Sequence, residues 1–148
     1  MRNLIWLLIL TANAQNYQIT DLATLGGTQS SATSINLSGQ VTGESGTKTS
    51  NAHAFLASGG KLTDLGTLGG EYSQGQCINA TGEIAGYSTL ADGSYRAFLY
   101  SGGVLTNLGT LGANYSAAYG VNSAGEVVGE SDVPSQTTAT PFYTRSAQ

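Results

Sequence analysis

Short stretches in which apolar and polar residues alternate recur along the chain, and glycine, serine or asparagine bounds each of them. Alternation with a period of two predicts half-buried β-strands, and the small polar residues between them predict turns. In the central part of the chain these stretches are Lys61–Leu65, Gly75–Asn79, Glu83–Tyr87 and Tyr95–Tyr100. The pattern therefore predicts an all-β protein of short antiparallel strands.

The four predicted strands belong to a unit that occurs three times. Leu22, Leu65 and Leu108 are separated by steps of 43 residues, and equivalent asparagines and glycines keep the same step. A fixed period of this size is typical of repeat proteins. We therefore interpret residues 15–148 as a single repeat domain, with units at about 17–59, 60–102 and 103–145.

Equivalent stretches in the outer units are predicted to be strands as well. In the first unit they are Gln18–Leu22, Ala32–Asn36, Gln40–Glu44 and Ala52–Ala57. In the third unit they are Val104–Leu108, Ala118–Asn122, Glu126–Glu130 and, after a one-residue insertion, Pro141–Thr144. Proline is tolerated at the start or the edge of a strand, so we expect the last strand at a sheet edge.

Two kinds of turn separate these strands. The second and third strands of each unit are joined by Asn-x-x-Gly, in which the asparagine can cap the turn and the glycine can take a left-handed conformation. Ser-Gly-Gly at 58–60 and 101–103 predicts a hairpin between a fourth strand and the first strand of the next unit. Both turns are typical of antiparallel neighbours.

A glycine-rich stretch follows the first strand of every unit. It reads TDLATLGG at 20–27, TDLGTLGG at 63–70 and TNLGTLGA at 106–113. These glycines follow a predicted strand but open no predicted helix, as a phosphate-binding loop would require. The stretch is therefore interpreted as architecture rather than as a ligand loop.

Four antiparallel strands in a period of this length are what one blade of a β-propeller requires. The predicted fold is an all-β repeat protein of three four-stranded antiparallel units, similar to a β-propeller. A β-solenoid is the alternative, because glycine and asparagine turns suit it too.

The N-terminal residues 1–14 have the layout of a signal peptide. Arg2 precedes the apolar run Leu4–Leu10, and Ala12-Asn13-Ala14 is a small-x-small cleavage signal. We expect this segment to be removed on export. The expected location is secreted, either extracellular or periplasmic, with no membrane insertion after removal.

These units resemble the HAF repeat of predicted extracellular bacterial proteins, named for a His-Ala-Phe tripeptide. The resemblance is carried by TDLGTLGG, by INATGEIAGYS and by HAFL at 53–56 or RAFL at 96–99, and it spans residues 17–145. It implies a propeller-like fold and a place outside the cell. It implies no particular activity, and the third copy departs from the tripeptide with Thr140-Pro141-Phe142.

Composition excludes several classes of function. The formal net charge is −4 and no basic cluster occurs, which argues against nucleic acid as a partner. His53 is the single histidine and Cys77 the single cysteine, so neither a Cys-His pair nor a zinc site is indicated. We therefore predict no catalytic residue, no metal site and no enzymatic activity.

Carboxylates also occur at repeated positions. Asp21 and Asp64 are equivalent, with Asn107 in the third unit, and each stands beside a glycine-rich turn. Such residues commonly cap backbone amides. Calcium binding by these aspartates and by backbone carbonyls is a minor alternative to the absence of a cofactor.

Tyrosines are the best candidates for ligand contact. Tyr72 and Tyr115 follow the glycine-rich loops, and Tyr87 and Tyr95 flank the loop between the third and fourth strands. Aromatic rings on the loops of a rigid scaffold commonly contact sugars or proteins. The sequence thus favours a secreted, non-enzymatic module that binds a glycan or an extracellular protein. A polysaccharide-active enzyme and a structural matrix protein are the alternatives.

Three units are fewer than the roughly four to eight blades of known propellers. The first predicted strand, Gln18–Leu22, and the last, Pro141–Thr144, could complete one blade jointly. If they came from two chains, a six-blade ring would result with no unpaired edge. We therefore expect a homodimer.

Overall fold

The structure, a computed structural model, describes residues 16–49, 51–134 and 139–144. Within these ranges the chain consists of strands, turns and loops, and no helix is found. The all-β prediction is therefore confirmed. Accordingly, the described residues include no helix that could span a membrane. The expected signal peptide at 1–14 lies outside the described residues.

The strands form three antiparallel sheets, each in simple meander order. Sheet A contains β1 (Gly26–Ile35), β2 (Val41–Thr47), β3 (Ala52–Ser58) and β4 (Lys61–Asp64). Sheet B contains β5 (Ser73–Ile78), β6 (Ile84–Thr89), β7 (Tyr95–Ser101) and β8 (Val104–Asn107). Sheet C contains β9 (Ser116–Val121), β10 (Val127–Ser131) and β11 (Thr140–Thr144). None of the three closes into a barrel.

The sheets are offset from the sequence units by one strand. Sheet A takes its fourth strand, β4, from the start of the second unit, and sheet B takes β8 from the start of the third. The Ser-Gly-Gly turns make these pairings, as predicted. Gln18–Leu22 pairs with none of the described strands, and it lies in no strand itself. The prediction of a strand there is wrong, because a strand needs a neighbouring edge to satisfy its backbone groups.

A bulge in the first strand of each sheet faces a glycine on the second strand. In sheet B the register shifts between Gly75 and Cys77, opposite Gly86 of β6. A Cβ on Gly86 would lie 2.0 Å from the backbone oxygen of Gln74 and 2.8 Å from the ring of Phe98. Gly43 and Gly129 hold the same place in sheets A and C. Glycine is thus required here for close packing.

The three sheets stack face to face, and the core lies between them. Ala54 of sheet A packs with Ile78, Ile84 and Phe98 of sheet B. A second cluster joins sheets B and C through Ala85, Ala97, Ala118 and Val127. Hydrogen bonds repeat at both junctions: the Ala54 amide donates to Ser73 Oγ at 2.8 Å, and the equivalent Ala97 amide donates to Ser116 Oγ at 2.9 Å. The two junctions are therefore built alike.

Asparagine turns add a ladder along one end of the stack. Asn79 Oδ1 accepts hydrogen bonds from the Thr81 and Glu83 amides, and Gly82 has a φ of +86°. The predicted turn is therefore confirmed. In addition, Asn36 Nδ2 donates to the Asn79 carbonyl at 2.9 Å, and Asn79 Nδ2 donates to the Asn122 carbonyl at 2.8 Å. The first two asparagine turns are thus each hydrogen-bonded to the turn of the next unit.

The polar groups of the glycine-rich loop are bonded to the protein itself. Thr67 Oγ1 donates to the Gly70 carbonyl at 2.8 Å and accepts from the Gly69 amide at 3.2 Å. The Leu68 amide donates to Ser88 Oγ at 2.9 Å. The loops at 20–27 and 106–113 make the same bonds. These interactions support the architectural interpretation of the loop.

Candidate functional site

Four tyrosines lie together at the end of the stack opposite the asparagine turns. Tyr72 and Tyr115 immediately precede β5 and β9, Tyr87 lies in β6, and Tyr95 begins β7. Parallel bridges connect neighbouring units here, Ala52 to Tyr72 and Tyr95 to Tyr115. The stacking of the sheets therefore brings rings from two units to one edge.

The rings form one continuous contact cluster, which we call the tyrosine row. Tyr72, Tyr87 and Tyr95 contact one another, since the ring centroids of Tyr72 and Tyr95 are also 6.4 Å apart. Tyr115 extends the cluster through Tyr95. Ring centroids are 6.0 Å apart for Tyr72 and Tyr87, 5.9 Å for Tyr87 and Tyr95, and 6.2 Å for Tyr95 and Tyr115. The rings are tilted rather than stacked flat, as aromatic pairs in proteins often are. The four tyrosines selected from the sequence are thus brought into mutual contact.

Hydrogen bonds fix the orientation of the first two rings. The Tyr72 hydroxyl donates to the Glu44 carboxylate of the preceding unit and lies 3.1 Å from Gln74 Oε1. The Tyr87 hydroxyl donates to the same Gln74 oxygen at 2.5 Å. With their hydroxyls held, the two side chains are fixed in direction, and this part of the row is preorganised.

A second cluster of hydroxyls surrounds Glu130 at the other end of the row. Tyr119 donates to Glu130 Oε1 at 2.5 Å, and Tyr115 donates to the same oxygen at 3.1 Å. The sequence analysis missed Glu44, Glu130 and Tyr119 as parts of this surface. A signal was present, because Glu44, Tyr87 and Glu130 occupy one repeat position.

Three tyrosines of this surface, Tyr72, Tyr115 and Tyr119, have raised pKa values and are neutral at ordinary pH. Burial raises the pKa of Tyr72, and its hydrogen bond to Glu44 raises it further. Burial followed by the hydrogen bond to Glu130 raises the pKa of Tyr119, and burial is also the main cause of the raised pKa of Tyr115. The surface therefore presents uncharged ring faces beside two carboxylates.

A polar groove of about 780 Å³ adjoins the row. Glu44 belongs to both features, since it lines the groove and accepts the hydrogen bond from Tyr72. Side chains of several hydrogen-bonding types share the lining: Gln29, Ser31, Thr47, Lys48 and Asn51. Donors and acceptors thus lie next to aromatic faces.

His53 has a partner that the sequence analysis did not identify. Its Nδ1 lies 3.0 Å from both carboxylate oxygens of Asp64, on the neighbouring strand β4. In the second unit Arg96 takes the place of His53 and donates to the carbonyls of Tyr95 and Asn114. Two chemically different side chains thus occupy this position. What they share is a structural role, because each makes polar contacts that connect its strand to a neighbouring strand or loop.

The repeated aspartates cap turns. Asp21 Oδ1 accepts from the Ala23 amide at 2.8 Å, and Asp64 Oδ1 accepts from the Gly66 amide at 2.7 Å. Asn107 does the same for Gly109. In the part of the chain that the structure describes, no three His, Cys, Asp or Glu side chains converge as a metal site would require. These aspartates already have the capping role that their sequence context indicated.

The fold and this surface together define an all-β repeat protein with an aromatic row along one end. Searches of family models, of curated proteins and of solved structures gave no match. The resemblance to HAF repeats therefore stays a prediction based on the motifs.

Proposed function

We propose that this chain is a secreted, non-enzymatic repeat module that binds a glycan along the tyrosine row. The observation that carries the proposal is the contact of four tyrosine rings drawn from two units, with centroids about 6 Å apart. Sugar rings have apolar faces that pack on aromatic side chains, while their hydroxyls need hydrogen-bond partners. A cluster of adjoining rings of this kind suits the face of a sugar ring.

The adjoining groove supports a polar, weakly charged ligand. Glu44, Gln29 and Asn51 offer acceptors and donors of the kind that sugar hydroxyls bind. Lys48 is the one cation among the groove residues, so a polyanion would find little charge to pair with. A neutral polysaccharide is therefore the favoured ligand.

The same proposal includes a finer description of the fold and location. Sheets A and B are four-stranded meanders and sheet C is a three-stranded one in the described residues; each stacks on the next, and this arrangement supports a propeller-like array over a solenoid. The N-terminal sequence and the HAF-like motifs favour export to the cell exterior. A rigid array that presents aromatic rings outside the cell suits attachment to a surface polysaccharide.

Tyr95 provides the sharpest test, because it is the most exposed ring of the row, at 37%. Replacing Tyr95 with alanine is expected to weaken binding of a neutral polysaccharide about tenfold or more, since one stacking contact is lost. Tyr17→Ala is the control, because Tyr17 is 86% exposed and lies outside the row. Affinity electrophoresis and calorimetry with soluble xylan and β-glucan would measure both variants. Equal affinities in the two variants, or no binding by the parent protein, would contradict the proposal.

A further inference from the structure

We infer that residues 18–21 of one copy of this chain form the fourth strand of sheet C in a second copy. Sheets A and B have four strands, whereas sheet C has three in the described residues, with β11 at its edge. The strand that would complete it has a counterpart in the sequence. Residues 18–21 read QITD, and they are equivalent to KLTD of β4 and VLTN of β8.

Apolar side chains that are exposed at the two ends of the array support this inference. Ile19 is 97% exposed, although its equivalents Leu62 and Leu105 are half-buried in β4 and β8. On the outer face of sheet C, Val128 is 49% exposed, although its equivalent Ala85 is fully buried at the junction of sheets B and C. The same repeat positions are thus buried inside the array and exposed at its two ends.

The inner sheets also fix the register of the added strand. β3 sets Phe55 opposite Asp64 and Ala57 opposite Leu62. Transferred to sheet C, this register sets Asp21 opposite Phe142 and Ile19 opposite Thr144. Proline at position 141 is compatible with the pairing, because β11 already lies at a sheet edge.

A strand added in this way would carry the next sheet with it. In the chain, β4 leads through Leu65 and Leu68 into sheet B, and both leucines pack at the junction of sheets A and B. Residues 18–21 lead through Leu22 and Leu25 into sheet A in the same manner. Sheet A of one copy would therefore stack on sheet C of the other. This stacking would align the asparagine ladder, with Asn122 next to Asn36 of the second copy.

A second copy is favoured over closure within one chain. Residues 16–24 and sheet C are both described in the same chain, yet these residues lie in no strand. A ring of three blades is also smaller than the roughly four to eight that propellers contain. Reciprocal exchange between two chains gives six sheets and two equivalent junctions with two-fold symmetry.

The inference can be tested by measuring the molecular mass in solution of the parent protein and of two matched variants. Ile19→Asp should raise the dimer dissociation constant about 100-fold or more, because a charge would be buried at both symmetric junctions. Leu37→Asp is the control, since Leu37 is equally exposed in the single chain and its equivalent Ala80 stays exposed beside the asparagine ladder between stacked sheets. Light scattering at micromolar concentration should show a dimer for the parent and Leu37→Asp, and a folded monomer for Ile19→Asp. A monomeric parent, or an Ile19→Asp protein that remains dimeric, would overturn the inference.

A disulfide experiment separates the two sources of the strand. Ile19→Cys and Thr144→Cys would be combined in a Cys77→Ser background, because opposed positions of antiparallel strands lie within disulfide distance. The inference predicts a reducible cross-link between two chains. A cross-link within a monomer, or no cross-link under oxidation, would exclude exchange with a second copy.

Discussion

Replacing Gly86 with alanine is expected to lower the free energy of unfolding by about 3 kcal/mol or more. The added methyl group would lie 2.0 Å from the Gln74 carbonyl oxygen, which belongs to the backbone of the paired strand β5. That oxygen cannot withdraw without breaking the bulge of sheet B. The Phe98 ring, which is fully buried, blocks movement on the other side. Chemical denaturation followed by circular dichroism would measure the loss.

Gly120→Ala is the control for this substitution. Like Gly86, Gly120 lies in a strand pairing and does not have a positive φ. A Cβ there would meet just one atom within contact distance, Cγ2 of Val128 at 3.1 Å, which belongs to a half-exposed side chain that can move. We expect a change within about 1 kcal/mol. Similar losses in the two variants would show that the bulge does not constrain position 86.

Replacing Asn79 with alanine is expected to lower the free energy of unfolding by about 2–4 kcal/mol. Asn79 is buried and serves two structures at once. Its Oδ1 caps the turn by accepting from the Thr81 and Glu83 amides, and its Nδ2 donates to the Glu83 carboxylate and to the Asn122 carbonyl. Alanine would remove this buried side chain and leave the Thr81 and Glu83 amides and the Asn122 carbonyl without these partners. Thermal and urea denaturation would measure the effect.

Asn122→Ala separates the turn from the ladder. Asn122 caps its own turn through the Ala124 and Glu126 amides, but it is exposed and no further unit accepts its amide in the described chain. Water can therefore replace its bonds, and we expect a loss of about 1 kcal/mol. Both variants should be compared in the Ile19→Asp background, where the chain is expected to be monomeric. Equal losses would contradict a stabilising role for the ladder.

The repeat period explains why much of the fold could be predicted. Asn36, Asn79 and Asn122 occupy the same position in the three units, so the turn predicted in one unit is supported by the same pattern in the other two. Because the strands and loops repeat, the sequence also predicted that the tyrosines lie next to loops. Their convergence into one row depends on the stacking of sheets A, B and C, and no single unit encodes that stacking.

Features that depend on neighbouring units were missed. Gln18–Leu22 has the pattern of a strand, but its strand state depends on an edge that the preceding unit would supply. The pairing of His53 with Asp64 was missed because Asp64 belongs to the next sequence unit and joins sheet A as part of β4. In both cases the structure depends on a neighbouring unit, and the pattern within one unit does not contain that information.

The tyrosine row also holds the units together. The hydrogen bond of Tyr72 to Glu44 joins the first two units, and the contact of Tyr95 with Tyr115 joins the second and third. A surface that is fixed by the packing of the array suits a ligand that spans several units. Binding and assembly would then depend on the same contacts, which favours a rigid recognition surface.

The most direct measurement is nuclear magnetic resonance of protein labelled with carbon-13 in its eight tyrosine rings, titrated with a neutral oligosaccharide. The account predicts chemical-shift changes at Tyr72, Tyr87, Tyr95 and Tyr115. Signals of Tyr17, Tyr100 and Tyr143 should stay unchanged, because these rings lie outside the row. Changes confined to those three rings, or no change at the row with oligosaccharides of any neutral type, would contradict a glycan-binding tyrosine row.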